Sequence, residues 1–287
     1  VRLDGSNNNY GDVAAGILNQ NQVQVIPTNS AGLQDLSTLL AAAYNGQVVI
    51  DTVNGRAGTS TPIGTYRIPV NNMADAHTIA EENGINRFIL ASNLTLVDED
   101  LTVGGDKHKF VGISPYITLT VQSAAQVSGL SLENLTVTGE LDGLNNIQKC
   151  SLQAVTALSG YVFQSSFTST ATISDDILIM QSFSNVPGGG YPLFTRTVAG
   201  KTVEVRDWHG SFGLDGITDA DHTIGGSGGR VVIESGCTGG TIHIRGSWFE
   251  IVDNSGIGCT VLDERSGTSV DDSLQFTDLL IAKKINL

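Results

Sequence analysis

From Asn86 onward, apolar residues arrive in short runs that polar and small residues interrupt. "RFILA", "NLTLV", "LTVGG", "KFVGI", "YITLTV", "LSLENLTVTG", "NIQKCSLQAV", "YVFQSSF", "ILIMQSF", "TVEVRDW", "RVVIE" and "TIHIRGSWFEIV" are each bounded by Gly, Asn, Asp or Ser. Runs of this length, rich in β-branched and aromatic residues, predict strands. Several alternate strictly, as in Leu130-Ser131-Leu132, Val203-Glu204-Val205 and Ile242-His243-Ile244, so one side of each strand faces a core.

Ahead of these strands the period changes. "SAGLQDLSTLLAAAYNG" predicts a helix opened by Ser30 and stopped at Asn45-Gly46, with Leu33, Leu36, Leu40 and Ala43 on one seam. "QVVIDTVNG" predicts a strand and turn, and "GRAGTSTPIGTYRIP" a loop. A second helix follows over Met73–Asn83, capped by Asn71 or Asn72, with Asp75 in its first turn and Asn83-Gly84 as its stop. Met73, Ala76, Ile79 and Ala80 fall on its one narrow apolar face.

The strands must then be assembled. Two-residue primed turns, which a sandwich or closed barrel needs, are scarce, and no blade signature supports a propeller. Ile147, Val162 and Ile177 are 15 residues apart, and elsewhere the interval stretches into the twenties. Rungs of uneven length fit an all-β fold, a right-handed parallel β-helix (β-solenoid) with short N-terminal capping helices. A solenoid exposes a strand edge and an apolar core at each end, so the Met73–Asn83 helix is expected to act as a cap. The expected division is a polar segment and helix over 1–46 for docking or oligomerisation, the β-helix over 47–265, and an extension over 266–287 that starts a second helical element around Leu274, Leu279, Leu280 and Ile281.

Composition narrows the partners. Gly is 34 of 287 residues and only 15% are charged, which suits turn-rich β structure. A net charge of −14 without a Lys/Arg cluster argues against nucleic acid and against anionic membranes. No apolar run approaches the length of a membrane helix. Cys150, Cys237 and Cys259 have neither disulfide nor zinc spacing and read as buried thiols in a reducing assembly compartment. Asp4, Ser6, Asn8 and Asp12 lack the spacing of a calcium loop and read as an Asx-rich turn.

Asp98/Glu99/Asp100, Asp175/Asp176, Asp215/Asp219/Asp221 and Asp263/Glu264 are the paired carboxylates that glycoside hydrolysis would need. "ISDDILI" has no accompanying Gly-His-Gly, and adjacent strand residues point to opposite faces, so solvated turn charges are the better reading. Five histidines (His77, His108, His209, His222, His243) accompany many serines, but no G-x-S-x-G elbow is present. "GGSGG" (225–229) lacks the Lys of a phosphate loop and reads as a turn or linker between rungs. No catalytic, cofactor or metal set is assigned. Trp208, Phe212, Trp248 and Phe249 cluster near the C-terminal rungs, either as core or interface stacking or as a sugar platform.

Two stretches carry a resemblance. "IDTVNGRAGTSTPIGTYRIPVNNMADAHTIAEENGINRFIL" resembles the start of the β-helical region in structural proteins of tailed bacteriophages, and "GGRVVIESGCTGGTIHIRGSWFEIVDNSGIGCTVLDE" resembles its closing rungs. Between them "DGLNNIQKCSL" and "SFSNVPGGGYPLF" fit the same pattern, so the likeness covers roughly 47–265, with Met73 and His77 where Leu is commoner. It implies a virion protein of the tail, baseplate or fibre, a homotrimer meeting other tail proteins, assembled in the host bacterial cytoplasm and without catalysis or cofactor. The alternative is a receptor-binding tailspike that binds or degrades host surface polysaccharide; a cell-surface adhesin on the same solenoid stands third.

Overall fold

The computed structural model describes residues 43–101, 108–127, 129–247 and 250–265. The Ser30 helix up to residue 42, the 266–287 extension, and Trp248 and Phe249 lie outside the described residues. The chain forms two compact units that divide between Phe88 and Ile89.

The first unit holds a buried strand, Val48–Ile50, and one α-helix, α1 (Met73–Asn83). Of the two expected caps, Asn71 and Asn72, it is Asn72 whose side chain accepts from the Asp75 amide, at 2.8 Å. Asp75 in turn accepts from Asn72 Nδ2 and from the Gly58 amide, both at 2.7 Å. These hydrogen bonds, the Asn72 bond first, hold the Asp75 carboxyl below its ordinary pKa. Gly84 ends α1 in the left-handed conformation with φ 63°. All four residues of the predicted apolar face are buried, and within this unit α1 packs on the Val48–Ile50 strand.

The second unit is a parallel β-helix of about nine turns. One face stacks the strands Lys109–Gly112, Ser131–Glu133 and Asn145–Gln148, then residues 160–163, 177–180, 203–206, 223–226, 242–245 and 260–263, all in parallel register. Parallel pairing demands that each strand return to the same end before the next begins, and the chain does so by running around two further faces. Alternation puts Phe110, Leu132, Ile147, Val162, Ile179, Val205, Ile224 and Ile244 in one inward column, each 0–1% exposed. Leu94, Leu119, Val137, Leu152 and Phe167 form a second column, and Val155, Ala171, Phe194, Leu214 and Ile233 a third. Above Ile244 the first column continues to Asp263, and above Ile233 the third continues to Asp253.

Val162 stands over Ile147 as its spacing suggests, but its upper partner is Ile179 rather than Ile177. The corner between them is two residues longer than the one below. Strands also occur where the polar texture hides them. "PLFTR" contains Leu193–Arg196, "SFGLD" contains Phe212–Asp215, and the first three residues of "GGSGG" close the strand Thr218–Ser227 instead of forming a linker.

At one corner each rung turns through a left-handed residue: Asn134 (φ 56°), Lys149 (φ 53°), Gln164 (φ 49°), Gln181 (φ 49°) and Asp207 (φ 50°). A left-handed non-glycine residue costs about 1–2 kcal/mol. Each of the first four offsets part of this by donating its amide to a carbonyl of the next rung, at 3.0–3.2 Å. The next residue is buried. Ser165 Oγ accepts from the Cys150 amide at 3.1 Å, and Ser182 Oγ accepts from the Ser165 amide at 3.2 Å. A hydroxyl ladder thus climbs the inside of the corner: each hydroxyl accepts from the rung below and donates to a carbonyl of its own rung, Ser165 to Phe163 at 2.9 Å and Ser182 to Met180 at 3.0 Å. Elsewhere the stack tolerates no side chain at all: a Cβ on Gly139 (φ 99°) would lie 1.9 Å from the Val121 carbonyl oxygen.

Candidate functional site

The candidate carboxylates are tested first by what holds them. Strand Ala171–Met180 bends around a corner at 174–176, because its two ends pair with different strands. Asp175 and Asp176 therefore do not point to opposite faces. Both reach Lys201, at 2.5 Å and 4.0 Å, and Asp176 also accepts from the Thr202 amide at 2.7 Å. The Lys201 bond lowers the Asp175 pKa, and the Thr202 bonds lower that of Asp176. Glu264 is lowered by His243, at 2.6 Å, and by Arg245, at 2.8 Å. Asp263 pairs with Arg265, while Glu99 accepts from the Val97 amide at 2.6 Å. A glycosidic acid must be held protonated by an environment that raises its pKa. Among the described residues, every carboxylate whose pKa is resolved as shifted moves the other way.

Asp219 belongs to a buried network that the sequence reading did not single out. Arg196 closes the run "PLFTR" with its side chain 1% exposed, one rung above Ile173. It donates to the Lys201 carbonyl at 2.9 Å and to Thr218 Oγ1 at 2.7 Å, and pairs with Asp219 Oδ1 at 2.5 Å. The Gly200 amide and Arg196 together depress the Asp219 pKa. His222, 1% exposed, accepts from the Val203 amide through Nδ1 at 3.0 Å, so its proton sits on Nε2, which donates to the Asp219 carbonyl at 2.9 Å. Burial lowers its pKa, which favours the neutral ring. These groups satisfy one another and tie three rungs together. The only local sign of this in the sequence was a lone arginine at the end of an apolar run.

The aromatic candidates divide. Trp208 and Phe212 are 0% exposed and pack with Phe167 and Phe194 at centroid distances of 4.9–5.6 Å, as core. They offer no sugar platform. The cysteines are all buried, and burial pushes the Cys150 thiol up to about 12 and the Cys237 thiol up to about 11, leaving both unreactive near neutrality.

One open groove of about 760 Å³ follows the left-handed corner over several rungs. Gln164 and Gln181 line it, joined side chain to side chain at 3.3 Å, with the Glu204–Arg206 pair, His209 and Arg245. At the rung between Arg206 and Arg245 the outward residue is Gly225, which leaves a slot between two guanidinium groups. His209 Nδ1 lies 3.2 Å from Ser227 Oγ, the closest approach to a nucleophile and base in the groove. Among the described residues no carboxylate hydrogen-bonds the other ring nitrogen, so the orienting member of a triad is missing. The groove's amides, hydroxyls and guanidinium groups, with the Glu204 and Asp207 carboxylates beside them, suit hydrogen bonding to a polyhydroxylated ligand.

Among the described residues no group of three or more His, Cys, Asp or Glu is placed to hold a metal ion, and no helix is long and apolar enough to cross a membrane. No family model, curated protein or solved structure matches the chain.

Proposed function

We propose that this chain is a structural component of a tailed-bacteriophage virion, a homotrimeric β-helical element of the tail, baseplate or fibre that carries no catalysis. The observation behind this reading is the parallel stack of the second unit, which contains the closing stretch that resembles such proteins. Its carboxylates support the reading as well, since they hold corners and rungs together: Asp176 fastens Thr202, Asp219 fastens Arg196, and Glu264 fastens Arg245. Immunogold labelling of particles of the encoding phage, with antibodies raised against the folded chain, tests it. Label on the tail apparatus is expected; particles that remain unlabelled while total infected-cell protein reacts would overturn the proposal.

The groove along Gln164, Gln181, Arg206 and Arg245 favours a second reading, attachment to host surface polysaccharide. A glycan array read for both retention and chain shortening separates the two. Retention that Arg206→Ala and Arg245→Ala abolish supports attachment, and chain shortening would overturn the non-catalytic assignment.

A further inference from the structure

On the long parallel face, the outward residues form two columns. The first runs Lys109, Ser131, Asn146, Tyr161, Leu178, Glu204, Thr223 and His243, and the second Val111, Glu133, Gln148, Phe163, Met180 and Arg206. Most of these positions are polar, as the solvent side of a sheet should be. Two adjacent rungs break the rule together. Tyr161, Phe163, Leu178 and Met180 make a two-by-two apolar block, each half-buried, with Tyr161 stacked on Phe163 at 6.0 Å and 13°. Nothing in the core requires this, because the inward partners Val162 and Ile179 are already 0% exposed.

We infer that this block is the centre of a surface on which a second copy of the chain docks, the two copies lying side by side. Charge selects the occupant. The chain carries −14 overall, yet on this face Lys109, Arg206 and Arg245 match Glu133, Glu204 and Glu264. Each of these cations is already paired on the face itself, Lys109 with Glu133 at 2.7 Å, Arg206 with Glu204 at 2.5 Å and Arg245 with Glu264 at 2.8 Å. A basic partner would find its complement elsewhere on so acidic a chain. A second acidic copy meets least repulsion here, where the charges cancel within each contact. The chemistry of the block agrees: aromatic residues and Met are enriched at interface centres, and charged residues belong on the rim. Flat parallel rungs with the same 4.7–4.9 Å spacing also let equivalent layers face each other in register.

This inference rests on the homo-oligomeric part of the proposed function but fails separately from it, since labelling of virions does not depend on which face is used. The test is sedimentation equilibrium of the full chain beside Phe163→Glu and Met180→Glu. Wild type is expected to associate at micromolar concentration, and each variant to weaken association about 30-fold or more, with circular dichroism unchanged and melting equal to that of wild type diluted to monomer. A second measurement avoids reliance on the charged variants. Because all three native cysteines are buried, Met180→Cys supplies an accessible thiol, expected to cross-link to itself with a short bismaleimide, whereas Thr138→Cys on another face does not. A wild-type monomer throughout, association that the variants leave untouched, or equal cross-linking at both positions would overturn the inference.

Discussion

The lower and upper halves of the β-helix solve the same packing problem at different cross-sections. Between Ser131 and Phe163 a rung takes 15 residues, and its inward positions are Leu, Ile, Val, Cys and Ser. Between Ile179 and Val205 the chain takes 26 residues for one turn, and the core there fills with Phe194, Trp208 and Phe212 and admits the buried Arg196. A short rung leaves room only for aliphatic columns and a tight hydroxyl-lined corner. Part of the extra length lies in exposed turns at 187–190 and 197–200, and aromatic rings fill the interior beside them. Between these two stretches, rung length and core chemistry change together.

Substitutions can break this contrast, and the largest effect is expected in the wide half. Trp208→Ala should lower unfolding free energy by about 4 kcal/mol, measured by chemical denaturation, whereas Val162→Ala in the narrow half should lose about half of that. Arg196→Met comes next, at about 3 kcal/mol, because Asp219 and several carbonyls lose their donor in a buried site. Ser165→Ala sharpens the narrow side: it removes the acceptor of the Cys150 amide, and a loss of about 2 kcal/mol is expected. Lys149→Gly should give the smallest change, a gain of no more than about 1 kcal/mol from relief of the left-handed strain at φ 53°.

A pH titration of stability probes the wide half by another route. His222 sits in the wide half with its pKa below the ordinary 6.5. The unfolded chain therefore binds a proton that the folded chain refuses, so stability falls as pH drops below about 6.5. Asp175, Asp176 and Asp219, with pKa values below the ordinary 3.8, contribute stability present above that pH and lost as pH falls through their folded values. His222→Gln should flatten the first window and leave the second in place. A wild-type curve that is level from pH 7 to pH 5 would refute the role assigned to His222.

How much of this was legible in the sequence differs between elements. The span of helix α1 was readable, with only its cap left between Asn71 and Asn72, because capping side chains, Asp75 and Gly84 act within one turn of where they stand. Most strands were readable from their apolar runs. Register was not, since the interval between stacked residues depends on how far each corner bulges, and Ile177 in place of Ile179 shows the resulting error. The left-handed corner was hidden for a similar reason: Asn134 and Asp207 are residues that favour such a turn, but Lys149, Gln164 and Gln181 adopt it only because the next rung supplies an acceptor. The outward apolar block was invisible as well, because Tyr161 and Leu178 are 17 positions apart and become neighbours only once the rungs are stacked.

The two inward columns that reach Asp253 and Asp263 among the described residues bear on the behaviour of many copies in a crowded cell. Growing the stack head to tail would require a fresh layer to seal both carboxylates away from water, at several kcal/mol apiece. Side-by-side contact remains open, and fibre formation along the axis is discouraged.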